Sequence, residues 1–259
     1  MTETGVNYAN ALADAKKQGF AEADPTNDVC GFDAARKLAI LSSIGFRANV
    51  TFDDVLVEGI EKIDKSDIQY AKDMGYTIKL LTVALRQENG IALNVYPAFL
   101  PDNHPLSSVK GAYNAIYVTG NIVDDVMFYG RGAGALPTAS AVMGDVISTA
   151  QHILNGSTGT GMIMTDTKRI PFYSSLKLQN SYYFRLDVDD VTGVLSQIAA
   201  AFAENDISIC EVVQKRKTKG LAELVLITEL ASRESILQVE KALQVLPCMR
   251  KVANVIRVM

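Results

Sequence analysis

Apolar positions recur with two different rhythms along the chain, and the rhythm changes once. Up to Leu154, stretches of helical spacing alternate with stretches rich in β-branched and aromatic residues. Helical spacing predicts helices over Val6–Gln18, Phe32–Ile44, Asp67–Met74 and Thr138–Leu154, the first three followed by Gly19, Gly45 and Gly75, where a left-handed cap is usual. Strands are predicted over Thr77–Arg86, Ala92–Pro97, Ala112–Thr119 and Asp125–Tyr129. The run Asn155-Gly156-Ser157-Thr158-Gly159-Thr160-Gly161 is too rich in small and polar residues for a regular element.

Beyond that run the pattern sharpens. Tyr182–Val188 alternates as a strand should, and Val194, Leu195, Ile198, Ala199 and Phe202 line one helical stripe. Ile207–Gln214 and Ala222–Thr228 read as strands. Ser232 is placed to cap a helix bearing Ile236, Leu237, Val239 and Leu243, and Arg250–Val258 reads as a final strand. The order is βαββαβ, the ferredoxin-like split unit. The fold class expected is therefore α+β: a mixed-sheet domain over residues 1–154, a linker over 155–175, and a βαββαβ domain over 176–259.

Composition narrows the possible partners. A net charge of −4 provides no basic field for nucleic acid, and no apolar run approaches the roughly 20 residues that a bilayer requires. Cys30, Cys210 and Cys248 lack metal-ligand spacing, and an odd, unpatterned set of thiols suits a reducing, cytoplasmic setting. His104 and His152 cannot form a metal site by themselves, so no metal is expected; His104, before Pro105, reads as a cap residue, and His152 closes a helix.

The densest chemistry lies between Ala21 and Lys37. Glu22, Asp24 and Asp28 fall in a segment that Pro25 is expected to hold out of helix, and Gly31 opens a helix on which Asp33 and Lys37, four residues apart, share a face. Carboxylates facing such a pair could hold a substrate ammonium while the lysine acts on a polar atom. The other reading is a solvated ion pair worth ~0.3–0.5 kcal/mol, with acids serving the helix dipole. Further on, Gly130-Arg131-Gly132-Ala133-Gly134-Ala135 follows a strand and precedes a helix, the setting in which backbone amides meet an anion. No ribose-binding acid lies about 20 residues on. The alternative is a tight strand-to-helix turn.

Taken together, Ala21–Lys37, Asp53–Ile60, His104-Pro105-Leu106 and Tyr129–Gly134 closely resemble the homoserine dehydrogenase family. The resemblance implies an NAD(P)-dependent oxidoreductase that reduces L-aspartate 4-semialdehyde to L-homoserine on the way to threonine, methionine and isoleucine. It makes Lys37 the catalytic lysine beside the carbonyl, with Glu22, Asp28 and Asp33 at the amino acid and Gly132 and Gly134 at the nicotinamide end of the cofactor. It also implies a separate dinucleotide-binding domain, which these 259 residues do not include, so the chain alone is expected to bind dinucleotide poorly and to turn over little.

Asp190-Val191-Thr192-Gly193-Val194-Leu195, with Asn205 and Gln214, resembles the ACT domain. That resemblance implies a homodimer with an amino acid at the seam; threonine is the expected effector, with Asp190, Gly193, Asn205 and Gln214 as its contacts. Two rival readings are a non-catalytic amino-acid-binding regulatory protein and a dimerisation module without a ligand.

Overall fold

One strand organises the larger part of the molecule. The computed structural model describes residues 1, 5–17, 24–157, 170–218 and 220–259. In chain order the elements are α1 (Tyr8–Lys17), α2 (Thr26–Val29), α3 (Phe32–Phe46), β1 (Leu56–Val57), α4 (Lys65–Asp73), β2 (Tyr76–Gln87), β3 (Gly90–Pro101), β4 (Tyr113–Gly120), β5 (Asp124–Arg131) and α5 (Ala135–Leu154). There follow β6 (Gln179–Asp189), α6 (Val194–Ala203), β7 (Ile209–Thr218), β8 (Leu221–Thr228), β9 (Ala231–Ser232), α7 (Arg233–Gln244) and β10 (Met249–Val258).

Strand β3 is buried at every position except its last. Its sequence, Gly-Ile-Ala-Leu-Asn-Val-Tyr-Pro-Ala-Phe-Leu-Pro, is a nearly continuous apolar run, as a strand covered on both faces requires. On one edge it takes β2 in an antiparallel hairpin, from Tyr76↔Pro101 to Gln87↔Gly90. It also pairs in parallel with β1, through Leu56↔Asn94 and Val57↔Val95, and with β10, through Arg257↔Ala98 and Val258↔Phe99. The path then continues β10-β6-β8-β7 in one eight-stranded sheet.

The second half of the chain builds the βαββαβ unit that its sequence predicts, with the small β9 added beside β6. Alternation along β6 sorts its side chains. Tyr182, Phe184, Leu186 and Val188 face a core shared with Ile198 and Phe202 of α6 and Ile236, Val239 and Leu243 of α7. The opposite face is covered as well: Ile63, Tyr70 and Ala71, from the α4 region, pack with Phe99, Tyr183, Val225, Ile227 and Ile256. A third cluster joins Ala35, Leu38 and Ala39 of α3 to Ile91, Leu93 and Val95 of β3.

The face under α4 is closed around a charge. Arg185, in β6, donates from Nε to Asp67 Oδ1 at 2.7 Å, from Nη1 to Glu223 Oε2 at 3.4 Å, and from Nη2 to Asp64. Asp67 is fully buried and also accepts from Tyr183 Oη at 3.2 Å and Asn254 Nδ2 at 2.8 Å. Tyr70 Oη donates to Glu223 Oε1 at 2.8 Å. Burial, followed by the Glu223 hydrogen bond and charge, raises the Tyr70 phenol well above its ordinary range.

The chain divides into two compact units, Met1–Pro101 with Lys168–Met259, and Asp102–Thr167. This differs from the composition-based division at 154 and 175, because β10 hydrogen-bonds to β3 and α4 lies on the β6–β8 face. The smaller unit holds the antiparallel hairpin β4–β5, in register from Tyr113↔Arg131 to Gly120↔Asp124, and the 20-residue α5.

Local structure departs from expectation at Pro25 and at Gly45. Pro25 does not keep its segment out of helix: its carbonyl accepts from Asp28 and Val29, and α2 follows directly, the helix-start position that proline tolerates. Gly45 lies inside α3, which runs on so that Phe46 packs against the third cluster and closes at Arg47 with φ of +52°. Gly19, and residues 158–169 of the linker expected over 155–175, fall outside the described residues.

Removing one partner of a buried ion pair strands the other. Arg185→Ala and Asp67→Ala should each cost ~3–5 kcal/mol of unfolding free energy, and Arg185→Met with Asp67→Leu should cost less than the two single losses summed. Urea titrations of the four proteins check this.

Candidate functional site

The acidic segment becomes an elbow. Helices α2 and α3 meet at Gly31, whose φ of +79° and ψ of +13° are left-handed, and a Cβ there would stand 3.0 Å from Val95 Cγ1 and 3.3 Å from Val57 Cγ1. Glycine is needed for both reasons: the turn disfavours L side chains, and the backbone rests directly on β1 and β3. The adjoining loop fits as closely. A Cβ on Gly59 would lie 2.5 Å from the Val29 carbonyl, and Ile60 N donates to that same carbonyl at 2.9 Å.

Asp33 in the first turn of α3 and Lys37 one turn on form an ion pair at 2.7 Å, with side-chain exposures of 48% and 67%. Their accessibility leaves both groups open to a ligand. Asp28 is exposed on α2. Asp24 accepts from Thr26 N at 3.1 Å and Thr26 Oγ1 at 2.6 Å, and these hydrogen bonds hold its carboxyl below the ordinary range. Arg36 Nη1 donates to Asn27 Oδ1 at 3.0 Å and lies over the Phe52 ring, tying α3 to the segment before it. Glu22 falls outside the described residues. The elbow thus gathers Asp28, Asp33 and Lys37 on one short stretch of backbone.

Glu58 and Arg257 are what the sequence reading missed. Arg257, on β10 and 5% exposed at its side chain, donates from both terminal nitrogens to the Glu58 carboxylate at 2.9 Å and lies 4.1 Å from the Tyr96 ring centre. Arg233 Nε stands 3.9 Å from the same carboxylate. Burial alone would raise the Glu58 carboxyl; the Arg257 hydrogen bonds, with the charges of Arg257, Arg233 and Lys62, bring it below its usual value. Burial likewise pushes the Tyr96 phenol up to about 12. The signal in the sequence was an arginine between Ile256 and Val258 in an apolar strand, which needs a buried partner.

Gly132 and Gly134 belong to the smaller unit, where each has a local role. A Cβ on Gly132 would stand 1.6 Å from Asn114 Nδ2, so a side chain there requires the Asn114 amide to move aside. Gly134, with φ of +119°, is the N-cap of α5, and its carbonyl accepts from Thr138 N at 3.1 Å. The preceding strand is half of a two-stranded antiparallel hairpin and, among the described residues, pairs with no parallel strand of the kind a dinucleotide fold is built on. His104 caps the turn Pro105–Ser108 by accepting from Leu106 N at Nδ1, 3.1 Å away.

In the βαββαβ unit, Asp190 and Gly193 share the turn between β6 and α6. Asp190 N donates to Gly220 O at 2.8 Å, and Gly193 caps α6 with φ of +87°. A Cβ there would meet nothing within 4 Å, so the left-handed backbone alone favours glycine. Asn205 does not join them. It lies past the far end of α6, about 15 Å along a helix of that length, where its Nδ2 donates to Ala201 O at 2.8 Å. Gln214 is exposed on β7, the terminal strand of the sheet path.

Comparison with known proteins adds three findings. The family model described as homoserine dehydrogenase matches residues 1–147, and the ACT domain model matches residues 182–248. Similar curated proteins are the homoserine dehydrogenases of Mycobacterium tuberculosis, 42% identical over 99% of this chain and 60% of the relative, and of Bacillus subtilis, 39% identical over 97% and 58%. Among solved structures, a homoserine dehydrogenase from Thiobacillus denitrificans superposes with a TM-score of 0.92 at 33% identity, over all of this chain and 60% of that one. The Staphylococcus aureus enzyme at pH 7.5 superposes at 0.71, with 30% identity and the same coverage. The chain therefore spans about three fifths of the length of these relatives.

The Glu58–Arg257 pair sets a pH expectation. A carboxyl lowered in the folded state contributes stability above its unfolded pKa of about 4.3 and loses that contribution as pH falls through the folded value. Unfolding midpoints measured from pH 6 down to about pH 3 should fall less steeply in Glu58→Gln than in the parent. Equal slopes would mean that the pair carries no linkage.

Proposed function

The chain belongs to the homoserine dehydrogenase family, and from that premise we propose that it forms the substrate-binding and regulatory part of an NAD(P)-dependent reduction of L-aspartate 4-semialdehyde to L-homoserine. The observation that carries this reading is the elbow, where Asp33 and Lys37 pair at 2.7 Å on a helix start seated directly against the central strand. In this scheme residues 1–154 hold the substrate, 155–175 link, and 176–259 regulate.

Asp28 and Asp33, with Glu22, hold the substrate ammonium, and an ammonium that takes up Asp33 leaves Lys37 free to turn toward the carbonyl. The bound dinucleotide supplies a hydride. Lys37 stabilises the negative charge that grows on the carbonyl oxygen and passes it a proton, so that aldehyde becomes alcohol. In the reverse direction the same amine takes the hydroxyl proton. Gly132 and Gly134 are the contribution of this chain to the nicotinamide end. Their antiparallel setting fits a closing loop and does not fit a complete dinucleotide site, so most of the cofactor's contacts lie with other residues.

The exposed apolar side chains of α5, including Val142, Val146, Ile147 and Ile153, support a larger assembly, because a contiguous face of this kind is normally covered. The regulatory part pairs with a second copy and binds a small amino acid, threonine as the first candidate, at the turn Asp190–Gly193. The free amides at the start of α6 suit its carboxylate. Because Asn205 and Gln214 lie away from this turn, any share they take in the ligand comes from the second copy. The odd, unpatterned set of thiols fits a cytoplasmic setting, and no described helix is long and apolar enough to cross a membrane.

The chain alone should give no homoserine-dependent reduction of NAD(P). With a dinucleotide-binding domain supplied, Lys37→Ala should lower kcat by ~10²–10⁴ while the fold survives. Lys16→Ala and Lys17→Ala, on α1, are the comparison. A Lys37→Ala enzyme that turns over like these controls would reduce the lysine to an ion-pair partner.

A further inference from the structure

The segment 57–60 lies between two things that the sequence keeps about 200 residues apart. On one side is the elbow: Gly59 leaves no room for a Cβ against Val29 and Cys30, Ile60 N donates to Val29 O at 2.9 Å, and the Gly31 backbone rests on the Val57 side chain. On the other side is β10: the Glu58 carboxylate receives both terminal nitrogens of Arg257 at 2.9 Å. Glu58 N is held as well, donating to Val95 O at 2.7 Å. Arg257 cannot shift easily. Its guanidinium lies over the Tyr96 ring at 4.1 Å and near Tyr182 at 6.0 Å, and its backbone pairs with Ala98 and Tyr182.

A bidentate arginine–carboxylate pair fixes direction as well as distance. Locking Glu58 fixes the path of residues 58–60, and that path is the surface on which the α2–α3 elbow turns. We propose that Glu58 and Arg257 are positioning residues: the last strand of the βαββαβ unit sets the orientation of the elbow that carries Asp28, Asp33 and Lys37. Neither residue touches the substrate. They act through the backbone of Gly59 and Ile60. The substrate role of the elbow rests on the function proposed above; its dependence on the pair does not.

The experiment uses the complete 259-residue chain, with residue-resolved amide hydrogen exchange and calorimetric titration with L-homoserine. Glu58→Gln keeps the shape of the side chain and removes its charge. In it, and in Arg257→Gln, the amides of Cys30, Gly31, Ala35 and Ile60 should exchange roughly 10- to 100-fold faster, the range of a lost charge-assisted contact, while β8 amides hold within about twofold. Arg257→Lys, which keeps the charge and loses the fork, should fall between. Arg250→Gln, on the same strand as Arg257, breaks a pair to Asp189 of β6 and should leave the elbow unchanged. Homoserine affinity should weaken in the order of the exchange rates. Elbow amides that exchange at the parent rate in Glu58→Gln and Arg257→Gln would overturn the proposal. So would β8 amides accelerated as much as the elbow, since that is general loosening. Should the parent chain bind no homoserine, the substrate reading fails and the exchange data still decide the role of the pair.

Discussion

A guanidinium that cannot reach water has to be met by carboxylates, and in this chain they come from far away in sequence. Arg185 sits in the middle of β6, on the face left open by the two helices of its own βαββαβ unit. Asp67 and Asp64 come from the start of α4, more than 110 residues earlier, and Glu223 from β8. An isolated charge at that depth would be expensive, so α4 must lie on the sheet for the sheet itself to be stable. The apolar contacts of Ile63, Tyr70 and Ala71 follow from that docking.

The same constraint explains why β3 is apolar along its length. With α4 packed over the sheet and β10 hydrogen-bonded to its edge, β3 is an interior strand of a sheet assembled from both halves of the chain. It then serves as a fixed surface for the elbow: Val95 touches Gly31, and its carbonyl holds Glu58 N. A turn seated on a buried strand keeps its order even when its own side chains are exposed. The exposed Asp33–Lys37 pair therefore derives its placement from the strand beneath it; the pair alone, half in water, adds little stability.

Much of this was legible in the sequence, and the rest was hidden for definite physical reasons. The βαββαβ order follows from alternation in Tyr182–Val188 and the helical stripe beginning at Val194, because local periodicity reports which face is buried. The Asp33–Lys37 pair follows from helical spacing. Periodicity does not report which segments share a sheet, so the β3–β10 pairing and the docking of α4 could not be read. The sign of something unusual was nevertheless present: Arg185 and Arg257 each interrupt an apolar strand. Gly45 misled because glycine after an apolar stretch usually ends a helix, whereas packing of Phe46 carried α3 two residues further. Pro25 misled for a related reason: a residue that breaks helix interiors is well tolerated at a helix start.

Residues from both halves of the chain should unfold as one cooperative unit around β3 and the Arg185 cluster. Amide exchange followed through increasing urea tests it most directly, comparing Leu93, Val95 and Phe99 of β3 with Leu224, Val225 and Leu226 of β8. Both sets should share a single opening free energy, with the same dependence on denaturant. If the β8 amides remain protected at urea concentrations where the β3 amides exchange freely, the βαββαβ unit stands by itself and the two halves do not cooperate.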